Sequence, residues 1–507
     1  MALVMSGSSP TISTTATPRA SRSFSGRQER RVWPYTAANL LLLLYLIWIA
    51  PRITRGIITH EGWEVIPLVV GLAYLGAWLS ARAPRIRIGL AATLAFTLYV
   101  LWGMFAEVTP FSDFLSFYRA SIGLTTGEGI RAALLSKSPA TVAWYGSALW
   151  LLGPSYQTTY IAAAVLWAAQ IPLLYAALAS FGIHDATAKT AALMYGFSPS
   201  VVFFAPLITS ESLFNCLIVV CLYVSSRYHR HAELRTAAAL GAAGAFLFLT
   251  RMNGGAFMIA FALYVVVWPG ERRQRWLPLA SLLATFLFVV FLNAYGTSRY
   301  TGQFSLLPSK WGAYNLMAGT NRLSRGGYNT EDLALAGFTG DPALSHAEAS
   351  RNALRIGIER ITTDPFGFMA FAFTDKLMHF WGTDVACVDW PTNQSPKRQA
   401  LVDARIIGLA HRLTEAFWLF LNLTAALALV WCLASPRRRA ERLPDPLTCV
   451  VVLPMLLLSL IHIFVEVQPR YHVPYLPLLC MLSAMSLPMV GKCLPSVSKS
   501  QRRRSVC

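Results

Sequence analysis

Asp113 stands in PFSDFLSFYRAS (110–121), just past an apolar run and a few residues after Glu107. A carboxylate held against aromatic and lipid-like surroundings has an altered pKa and can serve as a general base. The same residue could cap the helix FLSFYRAS, and the local sequence alone reads first as that cap; the two roles are compatible. Glu211 lies in PLITSESLFN, between two close apolar runs. An ionisable group at the end of a span merits a functional hypothesis. TSES also reads as a plain helix start, with Thr209 or Ser210 capping and Glu211 in the first turn. QPRYHVP sets Arg470, Tyr471 and His472 at an expected helix start. A fixed guanidinium binds phosphate bidentately and a helix N-terminus adds favourable potential, although Arg and Tyr also serve as interfacial anchors. Lys376, in FTDKLMHFW, is either a second phosphate contact or a lysine snorkelling from an amphipathic helix. Arg251, in LTRMNGG, reads as buried and paired, or interfacial, rather than as a ligand.

Those residues need elements to hold them. The chain has 507 residues, of which 55% are hydrophobic and only 13% charged, too few charges to cover a water-soluble protein of that size. Apolar runs are expected to span near 32–50, 66–80, 88–106, 156–180, 191–206, 211–226, 236–250, 254–269, 276–296, 415–434, 447–466 and 471–490, so the fold class is an all-α polytopic bundle of about 12 transmembrane helices. The net charge of +19 would point to nucleic acid in a soluble protein. Here it orients helices instead. Arg82/Arg85/Arg87, Arg227/Arg230/Arg235, Arg272/Arg273/Arg275, Arg437/Arg438/Arg439/Arg442 and Arg502/Arg503/Arg504 fall on one side, with both termini cytoplasmic. ATVAWYGSALWLLG (140–153) and FGFMAFAF (366–373) are read as interfacial helices, because a span at the first would invert the Arg227 cluster.

The expected organisation is a disordered cytoplasmic tail (1–31) and an N-terminal transmembrane module (32–296) carrying an outer loop at 107–155. A long outer loop with an interfacial helix (297–414), C-terminal spans (415–490) and a basic tail (491–507) follow. Eight cysteines are scattered without CxxC or Cys/His clusters, so no metal site is indicated. No phosphate-binding glycine loop is present either, which argues against a nucleotide-driven pump.

The arrangement resembles GT-C glycosyltransferases, in the branch of protein O-mannosyltransferases and bacterial transferases that use polyprenyl-phosphate sugars. PFSDFLSFYRAS is similar to that family's first outer-loop motif with its acidic residue. SPATVAWYGSALWLLGPSY resembles the Pro/aromatic helix that follows it, and YGFSPSVVFFAPLITSESLFNCLIVV the helix pair joined by an acidic turn. AYNLMAGTNRLSRGGYN, DPFGFMAFAFTDKLMHFW and PRYHVPYLPLL resemble the Asn/Gly segment, the Pro/aromatic/Lys helix and the terminal Arg-Tyr helix start. Together these cover most of 88–490. Two departures stand out: Phe114 follows Asp113 where many members have a second acid, and two apolar runs precede the catalytic loop.

The resemblance implies inversion at an anomeric carbon, with a polyprenyl-phosphate sugar entering from the bilayer. Asp113 would take a proton from, or polarise, a glycan, lipid or protein acceptor. Arg470, joined by Lys376, would stabilise phosphate charge as the donor leaves, Glu211 would orient the acceptor or donor sugar, and Tyr471 and Glu107 would belong to the substrate-binding site. No cofactor is implied with certainty and a divalent metal is left open. Membrane lipids are partners and nucleic acid is not. The rival readings are a lipid or solute transporter, whose polar site belongs near mid-membrane, and a non-catalytic cell-envelope assembly protein.

Overall fold

A computed structural model describes residues 33–82, 87–267, 276–339, 345–434 and 445–493. The tails at 1–31 and 494–507, and most of the basic clusters at Arg85, Arg272–Arg275 and Arg437–Arg442, lie outside the described residues.

The protein is an all-α polytopic membrane protein; the described residues contain helices and no strand. The chain runs through α1 (Trp33–Thr59), α2 (Ile66–Arg82), α3 (Ile88–Ala106), α4 (Ser112–Gly123), α5 (Pro139–Leu152), α6 (Tyr156–Ser180), α7 (Asp185–Gly196) and α8 (Pro199–Phe204). It continues through α9 (Ser210–His231), α10 (Leu234–Thr250), α11 (Gly255–Val267), α12 (Trp276–Thr301), α13 (Ile406–Ala434), α14 (Asp445–Phe464) and α15 (Leu476–Cys493). Among the described residues, seven helices are each long and apolar enough to cross a bilayer, and the expected spans at 236–250 and 254–269 form shorter apolar helices. The run at 191–206 is split between α7 and α8, because Pro199 starts a new helix with Ser198 as its N-cap.

Lipid offers no hydrophobic drive between helices, so close packing and side-chain hydrogen bonds must join them. α9 packs on α6, α10 on α12, α13 on both α1 and α15, and α11 on α14. Small residues permit these approaches. A Cβ at Gly241 would collide with the Leu282 backbone, and Tyr99 donates to the carbonyl of Gly196 where α3 meets α7. Large apolar side chains such as Leu41, Leu94 and Phe288 point outward, as a lipid-facing surface requires.

The two ends of the bundle differ. One carries 107–155, the long segment 302–405 and 465–475. At the other, Arg230 donates to the carbonyls of Ser180 and Ala179 at 2.8 and 3.1 Å, satisfying the C-terminal groups of α6. The long segment is folded, as its length predicts. Helix His346–Thr363 begins with a capping box of Ser345 and Glu348, and Arg360 pairs with the buried Asp332 at 2.8 Å. The two stretches expected to be interfacial are helical, in α5 and in the helix Pro365–Phe371.

Candidate active site

α3 ends at Glu107, whose φ of 47° breaks the helix. Tyr160 of α6 donates to the Val108 carbonyl and Ser395 donates to that of Ala106, pinning the exit. Ser112 then adopts a φ of 51° immediately before Asp113. A left-handed serine costs of order 1 kcal/mol or more and persists only where its surroundings enforce it. The result aims Asp113, in the first turn of α4, back toward the bundle.

Asp113 does not cap α4: the N-cap is Phe111, without a side-chain cap bond. One carboxylate oxygen pairs with Lys137, and the other lies 3.6 Å from Nη2 of Arg470. Burial alone would raise this carboxyl's pKa. The charges of Lys137 and Arg470 outweigh burial and hold it below the usual carboxylate range.

Arg470 is only 3% exposed. Its guanidinium carbon lies 4.6 Å from the Phe114 ring centroid and 4.3 Å from that of Trp390, with Tyr471 at 5.5 Å. Such an aromatic clamp suits the flat, weakly hydrated guanidinium. Nε and Nη1 are buried with no hydrogen-bond partner in the described structure. Unmade charged hydrogen bonds are costly, so these donors are poised for an incoming acceptor. The α-helix expected to start here begins only at Leu476. Pro469–Tyr475 is a 3₁₀ segment, so no α-helical N-terminus assists Arg470.

Glu211 also declines the capping role; Thr209 accepts from the Ser212 N–H at 3.2 Å instead. Glu211 is buried and pairs with Arg251 at 2.5 Å, while Ser210 donates to its other oxygen at 3.2 Å. Arg251 lies 4.8 Å from the Tyr471 ring centroid, which joins this pair to the Asp113–Arg470 pair. Asp113, Glu211, Arg470 and Tyr471 thus form one continuous polar cluster at one end of the bundle.

Two expected residues stand apart. Glu107 pairs with Lys397 at 2.8 Å and is half exposed. Lys376 neither snorkels nor reaches Asp113. It is fully buried on a single π-turn, its Nζ donates to the Ile463 carbonyl at 2.9 Å, and its stem lies over Gly326. Burial pushes its pKa down to about 7, partly opposed by the charge of Glu466.

Sequence reasoning missed Lys137 and Glu466 and set Arg251 aside as paired. Glu466 accepts from Gln468 at 2.6 Å and from the Tyr471 hydroxyl at 3.3 Å. Burial, with the nearby Asp113 charge, raises its pKa against the opposing effects of Gln468 and Arg470. The signal for Lys137 was only its place in the same outer segment as Asp113. Beneath the cluster, His472 faces the Asp384 carboxylate at 2.8 Å and the Phe380 carbonyl at 3.0 Å, and stacks on Trp418 with centroids 4.1 Å apart. Among the described residues, no three His, Cys, Asp or Glu side chains converge as a metal-ligand set.

Residues 137–295 match the model of a family described as dolichyl-phosphate-mannose-protein mannosyltransferase. The match supports a GT-C glycosyltransferase. It spans α5 to most of α12 and includes Lys137, Glu211 and Arg251; Asp113, Lys376 and Arg470 lie outside it. No curated protein matches the chain significantly. A membrane glycosyltransferase of mannosyltransferase type is therefore the coarse activity supported, and the apolar helices make the protein an integral membrane protein.

Proposed function

We propose that this GT-C transferase moves a sugar from a polyprenyl-phosphate donor to an acceptor hydroxyl on the non-cytoplasmic face, with both termini cytoplasmic. The supporting observation is the Asp113–Arg470 pair: a carboxylate beside a guanidinium that is buried among aromatic rings and has two unused donors. The donor phosphate meets Nε and Nη1 of Arg470. Lys137 and Arg470 keep Asp113 ionised, so it accepts a hydrogen bond from the acceptor hydroxyl.

As the hydroxyl oxygen bonds to the anomeric carbon from the opposite face, the carbon–oxygen bond to phosphate breaks. The acceptor proton passes to Asp113 late, when bond formation has made the hydroxyl acidic. The bond electrons leave with the polyprenyl phosphate, whose growing charge Arg470 stabilises. The anomeric configuration inverts. Glu211, held by Arg251, orients a sugar. Lys376 acts through Glu466 rather than by touching the donor phosphate.

The test is transfer by purified protein from a panel of polyprenyl-phosphate sugars, beginning with mannose, beside Asp113→Asn. The variant should lose ~10²–10⁴-fold in rate while keeping its thermal transition. Wild-type activity in Asp113→Asn would remove the carboxylate from the chemistry. A wild-type protein that uses no lipid-linked donor but moves lipid across vesicles would favour the transporter.

A further inference from the structure

A second basic cavity lies outside the Asp113 cluster. It has a volume of about 180 Å³ and is lined by Arg52, Arg55, Thr59, His60, His379 and Thr383. It sits between the end of α1 and the segment after Lys376. Two arginines and two histidines therefore line one small space. The nearby carboxylates Glu61 and Glu64 are drawn off by Arg412, at 3.0 and 2.8 Å. Among the described residues, Arg52 and Arg55 have no carboxylate within ion-pair distance. Glu415 also approaches the lining at Gly56 through Oε2, which has no hydrogen-bond partner among the described residues, while its Oε1 is engaged by Thr383 and by the Asp384 N–H. The two arginines outnumber it.

Depth supplies the second observation. Nineteen residues separate Trp33 from Arg52 in α1. At ~1.5 Å per residue that is a rise of about 29 Å, close to the ~30 Å thickness of a hydrocarbon core. Arg52 and Arg55 accordingly reach headgroup level on the face of α1 that meets His379 and Gly382. Burial, together with the guanidinium groups of Arg325 and Arg52, holds His379 below its usual pKa range. The cavity is smaller than the ~300–1,000 Å³ of a pocket for a whole ligand, and matches a headgroup with its chains left in the bilayer.

We infer that this cavity binds the phosphate ester of an anionic membrane lipid and so clamps α1 to the 378–383 segment. A phosphate diester or monoester accepts several bonds from the two forked guanidinium groups. The ligand comes from one of two sources, a bilayer phospholipid or a polyprenyl phosphate, which share this headgroup chemistry. The inference does not depend on the reaction assigned to Asp113.

Purified full-length protein in neutral detergent is titrated with phosphatidylglycerol, polyprenyl phosphate and phosphatidylcholine, and bound lipid is counted by native mass spectrometry. Phosphatidylglycerol or polyprenyl phosphate should occupy the wild type at least about ten-fold better than the Arg52→Gln/Arg55→Gln variant. The better of the two names the source, and either supports the site. Arg227→Gln, at the opposite end of the bundle, should bind as the wild type does. Equal occupancy in wild type and double variant overturns the inference, as do equal losses in Arg227→Gln or phosphatidylcholine binding as tight as phosphatidylglycerol. Should the double variant not fold, Arg55→Gln alone, on the exposed side of α1, provides the same comparison.

Discussion

At the scale of residues, the site is built by setting charges against burial. Asp113 is partly buried yet ionised because two cations face its two oxygens. Lys376 is buried with only a backbone carbonyl as its partner, and its pKa falls to about 7 from an ordinary 10.5. The sign of the resulting pH dependence follows. Between those two values the unfolded chain binds a proton that the folded chain does not, so stability rises with pH across that window. Below it, the folded protein carries the full cost of a buried ammonium. Lys376→Met should remove this dependence: the variant's thermal transition in detergent should exceed the wild type's at pH 6, with the gap narrowing toward pH 10. A constant gap would mean that the amine is not desolvated. Lys376 also illustrates the reach of local reading. FTDKLMHFW identified an amphipathic interfacial stretch, but whether its lysine pointed out or in depended on Gly326 and Ile463, which are remote in the chain.

At the scale of elements, the segment carrying Arg470 and Tyr471 is a short 3₁₀ turn with few hydrogen bonds of its own. Its rigidity comes from below. The His472 ring nitrogens face the Asp384 carboxylate and the Phe380 carbonyl, and Asp384 also receives Ser200 of α8 and Cys387. Its own N–H donates to Glu415 of α13 at 2.9 Å. One buried carboxylate thus ties α8, α13 and the turn before α15 together. Leaving a buried hydrogen-bonding group without its partner typically costs about 1–3 kcal/mol. Asp384→Asn should destabilise by that order, and the double variant with His472→Phe should lose less than the sum of the single losses. Thermal denaturation of the four proteins measures the coupling, and strict additivity would contradict it. The helix-start signal at Thr209 was legible, because a cap depends on residues within one turn. The 3₁₀ start at Arg470 was not, since both helix types begin with the same residues.

At the scale of the molecule, helix parity gathers the cluster at one end and Arg227, Arg230 and Arg235 at the other. A cysteine at the exposed Ser112 should react with a membrane-impermeant reagent added from outside, whereas one at His231 should react only after permeabilisation. The reverse pattern would invert the orientation. The sequence by itself determined the fold class, the lengths of most helices and the stretches that bear the site residues. These follow from runs of apolar side chains and from nearby caps, which act locally and add along the chain. Tertiary structure alone decided which charges meet. The Arg470 clamp needs Phe114 and Trp390 from two distant segments beside its neighbour Tyr471, and Asp113 finds Lys137 only after the chain has run through α4 and the short helix Ile130–Leu134. Burial and pairing are properties of the packed neighbourhood, so sequence spacing could nominate Asp113, Glu211 and Arg470 but could not assign Lys376 its buried place or reveal Lys137 and Glu466 as their neighbours.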